Sequence, residues 1–151
     1  MKLAEALAER GDCQVRLEEL RNRLVRTARI QEGEEPVEDT TELLAESERV
    51  FARLGELICA INRTNSTTAF DSKRTISDAI AERDVMGKRR NFLASVAEAA
   101  STRQDRYSKS EVKFVPTISV GPLQKEIDEL SKSFRELDTK LQELNWRTDL
   151  V

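Results

Sequence analysis

Along the first thirty residues the apolar side chains recur in steps of three and four. Leu3, Ala6, Cys13, Leu17, Leu20 and Leu24 share one register, with Arg10 and Thr27 in the same stripe. That period places them on one face and predicts a helix over about residues 2–31. The next stretch, "EGEEPVEDTT", carries five acids, a Gly and a Pro and no base, which reads as a solvated loop with Thr40 or Thr41 capping the next helix. A second stripe of Leu43, Ser47, Val50, Leu54, Leu57, Ile61 and Asn65 predicts that helix over 41–67. A short loop between two matched helices favours an antiparallel hairpin.

In "TAFDSKRT" the period breaks, and Thr75 with Asp78 has the spacing of a capping box. A third helix is expected from there to Ser101, burying Ile76, Ala79, Ile80, Met86, Leu93, Ala97 and Ala100. Gly121-Pro122 opens a fourth, with Pro in the first turn, where a missing N–H leaves no bond unmade. Its seam of Leu123, Ile127, Leu130, Phe134, Leu137, Leu141 and Leu144 is apolar throughout, and Trp146 is placed to cover one end of the core.

Between these two helices the period changes to two. Val112, Phe114, Ile118 and Val120 alternate with Lys113, Val115, Thr117 and Ser119, which predicts an extended strand that Pro116 confines to an edge or bulge. A strand needs a partner for its backbone groups. Residues 104–120 fold back as a hairpin, or the strand pairs with its counterpart in a second copy, and the assembly reading makes Val112, Phe114, Ile118 and Val120 an oligomer interface. The expected fold is thus mainly all-α: one domain over 1–151, four long helices in an antiparallel bundle or coiled coil, and one short strand or hairpin between the third and fourth.

Composition narrows the function. Charged residues make up 35% of the chain, against about 25% in average proteins, which suits long helices with much exposed surface. A net charge of −3 gives no case for nucleic acid. The longest apolar run is "LICAI", too short to span a bilayer. Without a secretory pattern the expected location is cytoplasmic, and Cys13, on the first stripe, reads as a reduced core residue. The chain has no His, no Gly-rich phosphate loop and no G-x-G-x-x-G, so neither catalytic residues nor a metal or cofactor is assigned.

Several polar residues stand on the apolar stripes, including Arg10, Asn65, Arg83 and Arg90. A guanidinium stays charged, so a buried Arg needs carboxylate, carbonyl or ligand partners. One reading is a polar pocket of Asn62, Arg63, Asn65, Arg74, Arg83, Arg103 and Arg106 that holds an anion. The other is a network of inter-helix ion pairs closed by Asp78, Glu82, Asp84 and Asp105, or arginines whose heads reach water.

The stretches "MKLAEALAER", "INRTN", "RTISDAIAERD", "RQDRYSKSEVKFV" and "LDTKLQELNW" together resemble a family of uncharacterised bacterial proteins of about this length, some of them labelled septicolysin. The resemblance implies a single helical domain and no established activity. Its label implies a cytolysin, against which stands the lack of a bilayer-length apolar segment or a long amphipathic strand pair. The expected role is a cytoplasmic homo-oligomeric structural or interaction protein with no nucleic-acid or membrane partner. The alternative is a binding protein or enzyme acting on an anionic small molecule.

Overall fold

The computed structural model describes residues 1–101 and 112–151. Four helices succeed one another: α1 (Leu3–Thr27), α2 (Thr40–Thr67), α3 (Ile76–Ser101) and α4 (Val120–Arg147). Each buries members of the stripe its sequence predicts. Leu3, Ala6 and Leu20 are buried on α1, Leu43, Ser47, Leu57 and Ile61 on α2, Ile76, Ala79 and Ala97 on α3, and Ile127, Leu137 and Leu141 on α4. Helix α1 packs mainly on α2, and α3 mainly on α4, while α1–α4 and α2–α3 meet over much shorter lengths.

The shorter contacts explain the layout. The main core cluster consists of Leu3, Ala6, Leu57, Ile61, Ile76, Ala79, Leu137 and Leu141. Those residues are the start of α1, the end of α2, the start of α3 and the end of α4. Four-helix packing is therefore concentrated at one end, here called the base. From it two helical hairpins extend as arms: arm 1 (α1 and α2) and arm 2 (α3 and α4).

The arms are related by an internal pseudo-two-fold that reaches single hydrogen bonds. Leu3 N donates to Thr148 O at 2.9 Å, and Ile76 N donates to Thr68 O at 3.0 Å. Leu150 N donates to Met1 O at 3.0 Å, and Phe70 N donates to Arg74 O at 2.8 Å. Each pair maps onto the other when positions of α1 are advanced by 73 and those of α2 by 80. Lys2 pairs with Asp149 and Thr75 with Ala69 in matching antiparallel bridges. At the helix starts, Lys2 N donates to the Glu5 carboxylate at 2.6 Å and Thr75 N to that of Asp78 at 2.8 Å. The Thr75–Asp78 capping box is complete, with Asp78 N donating back to Thr75 Oγ1 at 3.2 Å. The match is visible in the chain as "LAEALAER" (3–10) against "ISDAIAER" (76–83).

Three expectations change. Among the described residues no strand forms over 112–119, and Val120 is already the first residue of α4. Pro116 holds Val115 away from helical angles and removes a donor, so the alternation belongs to an extended linker. The rest of the expected 104–120 hairpin lies outside the described residues. Trp146 does not cover the core and is 63% exposed; Leu150 and Phe70, a pseudo-symmetric pair, pack there instead. Finally, α2 is capped by Asp39, whose carboxylate accepts from Thr41 N at 2.9 Å and Glu42 N at 3.3 Å.

Candidate functional site

Two features stand out: a cleft at the base, and the outer face of arm 1.

The cleft is a cavity of about 420 Å³ between the two hairpins. It is lined by five pairs related by the pseudo-two-fold: Leu7 with Ile80, Ile61 with Leu141, Arg10 with Arg83, Asn62 with Gln142, and Asn65 with Asn145. The apolar pairs form its floor and belong to the core or pack against it. Asn145 is buried, Arg10, Asn65 and Arg83 are half-buried, and Asn62 and Gln142 stand at the exposed rim.

Asn62, Asn65 and Arg83, three members of the predicted pocket, meet here. Arg63 is exposed and does not line the cleft. Arg74 lies at another part of the base, stacked 4.9 Å from the centre of the Phe70 ring and paired with Asp71 at 2.7 Å and with Glu82. The Arg74 guanidinium, together with backbone N–H donors, holds the Asp71 carboxyl down to about 2. Arg103 and Arg106 lie outside the described residues. Arg83 is closed by its own carboxylates, Asp138 at 2.8 Å and Asp84 at 3.0 Å. Arg10 is the cleft residue that reading the stripe alone takes for an interruption of the seam; its match to Arg83 across the internal repeat is the signal that finds it.

The second feature sets the arms apart. Leu44, Phe51 and Ile58 recur every seven residues along α2 and are 55%, 55% and 39% exposed. With Leu17, Leu24 and Val25 of α1, the first two line neighbouring apolar grooves of about 430 and 550 Å³. At the matching positions of arm 2 stand Gln124, Ser131 and Asp138. The Leu17–Phe51 pair of arm 1 corresponds to Arg90 and Ser131, joined by a 3.0 Å hydrogen bond. Among the described residues one ion pair is common to both arms: Arg16–Glu46 at 2.6 Å matches Arg89–Glu126 at 2.6 Å.

Val112, Phe114 and Ile118, expected at an interface, are exposed, and Val120 is half-buried in the first turn of α4. Cys13 packs against the core and Cys59 is exposed, both as free thiols. Among the described residues no helix is long and apolar enough to cross a membrane, and no group of His, Cys, Asp and Glu is placed to hold a metal.

Both features lie in the region shared with known sequences. A model of a family of unknown function (DUF6847) matches residues 10–150, and the chain belongs to that family. A solved structure, described as that of a functionally unknown conserved protein from Corynebacterium diphtheriae, is 42% identical, with a TM-score of 0.95 over 100% of this chain and 99% of that one. No curated protein matches the sequence.

Proposed function

We propose that this is a cytoplasmic, non-catalytic assembly protein, in which the apolar face of arm 1 docks on a second copy of the chain. The observation that carries this reading is the contrast between the arms. The same backbone positions are polar on arm 2, so the fold does not require Leu44, Phe51 and Ile58 to be apolar. A large exposed apolar patch on one of two matched faces is what an interface leaves behind in an isolated copy.

Gly55 supports a close contact on this face. It sits mid-helix, exposed, on the side of α2 that carries Phe51 and Ile58, and an added Cβ would meet nothing within 4 Å. Glycine there costs about 1 kcal/mol relative to Ala, and nothing inside the protomer offsets it, whereas a backbone approaching from outside would. The charges lining the groove at Phe51, Glu18 and Arg21, have opposite signs and pair with each other at 2.6 Å. Such a face matches a copy of itself turned end for end better than it matches a strongly charged partner.

Light scattering tests the reading. The intact protein is expected at a multiple of 17.2 kDa, and Leu44→Gln with Phe51→Ser, which writes the arm 2 residues into arm 1, is expected to return it to a single chain. A single-chain mass for the wild type, or an unchanged multiple in the double variant, overturns it. Phe114→Asp with Ile118→Asp separates the arm face from the linker: it leaves the mass of an arm-mediated oligomer unchanged and lowers that of a linker-mediated one.

A further inference from the structure

The two halves of the base cleft match in position and differ in charge balance. Arg83 is neutralised by Asp84 and Asp138. Moved onto arm 1, those two carboxylates fall at Gly11 and Ile58. Arg10, the counterpart of Arg83, accordingly makes no hydrogen bond or ion pair with any described residue. A half-buried positive charge is thus left facing the cleft.

The amides that line the cleft with it are equally unengaged. Asn145 is 8% exposed, lines the cleft, and its side-chain amide has no hydrogen bond to a described residue. Its counterpart Asn65 is half-buried and likewise without a side-chain partner, as are Asn62 and Gln142 at the rim. Among the described residues no side-chain N or O is both buried and without a partner, so the Asn145 amide opens onto the cleft, as the Arg10 guanidinium does, and an acceptor placed there could meet both. The carboxylate nearest in sequence, Glu9, is engaged by Arg53 at 2.6 Å on the α1–α2 interface.

We propose that this cleft binds a small molecule through an oxyanion, carboxylate or phosphate, with Arg10 as the charged anchor and the Asn65 and Asn145 amides donating from the two sides. The fork of a guanidinium grips either oxyanion with two parallel bonds. Arg83, already neutralised, is a wall of the site. A cavity of about 420 Å³ is in the lower part of the range of small-molecule sites, roughly 300–1,000 Å³, which fits a metabolite-sized ligand. The amide rim favours a ligand whose remainder is neutral and hydrogen-bonding. None of the residues lining the cleft belongs to the exposed stripe of Leu44, Phe51 and Ile58.

Thermal melting of the full chain against inorganic phosphate and against acetate and succinate, with sodium chloride at matched ionic strength, tests the proposal and tells the two oxyanions apart. A saturable rise in Tm is expected with at least one of them and not with chloride, as mass action requires of a ligand bound by the native state. Arg10→Gln should weaken the response about tenfold or more, the loss expected when a charge-assisted pair is removed, while Arg26→Gln, an exposed arginine at the far end of α1, leaves it intact. The decisive variant is Gly11→Asp with Ile58→Asp, which gives Arg10 the carboxylates its twin has; because Ile58 also belongs to the exposed stripe of arm 1, it is made in the Leu44→Gln, Phe51→Ser background and compared with that protein. The space at Gly11 is open, so this protein should fold with an unliganded Tm at or above that background and lose the anion response. No shift with either oxyanion, or a full response in the Gly11→Asp, Ile58→Asp protein, overturns the proposal.

Discussion

At position 51 of arm 1 a phenylalanine is half exposed, while at the matching position 131 of arm 2 a serine accepts a hydrogen bond from Arg90. At position 58 stands an isoleucine, and at 138 an aspartate that holds Arg83. Toward the base the inward-facing positions of the same two helix pairs keep their character: Leu57 with Leu137, Ile61 with Leu141, Asn65 with Asn145, Thr68 with Thr148. The packing of four helices around one core constrains the base, because any change of volume is felt by all four. A two-helix arm has an outer face that no partner within the chain constrains. Differences between the arms are therefore the places to look for what the protein does, and both proposals start from one: an apolar stripe left uncovered on arm 1, and, at the base, an Arg10 without the carboxylates that its counterpart Arg83 has among the described residues.

The largest effect should come from breaking the shared part. Leu57 and Leu137 are matching core residues, 1% and 8% exposed. Truncating either to Ala removes buried methyl groups and leaves a cavity, at a cost of about 2–5 kcal/mol. Urea unfolding in the Leu44→Gln, Phe51→Ser background, where association does not contribute, should give two losses that both fall in that range of about 2–5 kcal/mol. If one truncation is silent while the other unfolds the protein, the base is not the symmetric unit described.

The next largest effect sharpens the contrast between the faces. In the same non-associating background Gly55→Ala should stabilise by about 1 kcal/mol, since Ala restricts the unfolded chain and is the better helix former. In the wild type the added methyl would push against the second copy, so the same change should weaken association measured by sedimentation. Stabilisation with unchanged association would mean that Gly55 touches nothing in the oligomer, and the interface would have to lie elsewhere on the stripe.

Much of this fold is legible in the chain. The four seams step by three and four over long stretches, and a helix so patterned has one way to bury its face. The Thr75–Asp78 box is local chemistry and reads directly. The segment at 112–120 misleads because a period of two marks any extended backbone; only pairing makes a strand, and pairing is not local. Trp146 misleads because aromatic size argues for burial, while the turn after Thr148, held by Leu150 N on Met1 O, folds Leu150 inward and leaves the indole outside. The cleft is half legible. Asn62, Asn65 and Arg83 carry the right chemistry, but the lone charge belongs to Arg10. That emerges only when Asp138, which lies 55 residues from Arg83, is seen to be its partner and Ile58 to replace it in the other arm. Unequal offsets along the two helices of each arm hide the duplication from a single-register comparison.

The smallest effect concerns ion pairs, and it too separates the arms. Arm 1 is laced by a heptad ladder: Glu9 with Arg53 at 2.6 Å, Arg16 with Glu46 at 2.6 Å, and Arg23 with Glu38 at 2.5 Å. Among the described residues the arm 2 counterpart of that ladder is Arg89–Glu126 alone. The guanidiniums of Arg53 and Arg23 hold the Glu9 and Glu38 carboxyls below the ordinary 4.5. Because these groups titrate lower in the folded state, their contribution is complete above the ordinary carboxylate range and disappears as pH falls through the depressed values. All six side chains of the ladder keep part of their surface in water, so screening keeps the contribution modest and makes it shrink further with salt. Amide hydrogen exchange followed downward from pH 4.5 should therefore show the middle of α1 and α2 losing protection before the middle of α3 and α4. Glu9→Gln with Glu38→Gln should remove that difference at low pH and leave the base amides unaffected. If both arms instead lose protection together in the wild type, the ladder does not distinguish them, and the stability of arm 1 rests on its buried leucines alone.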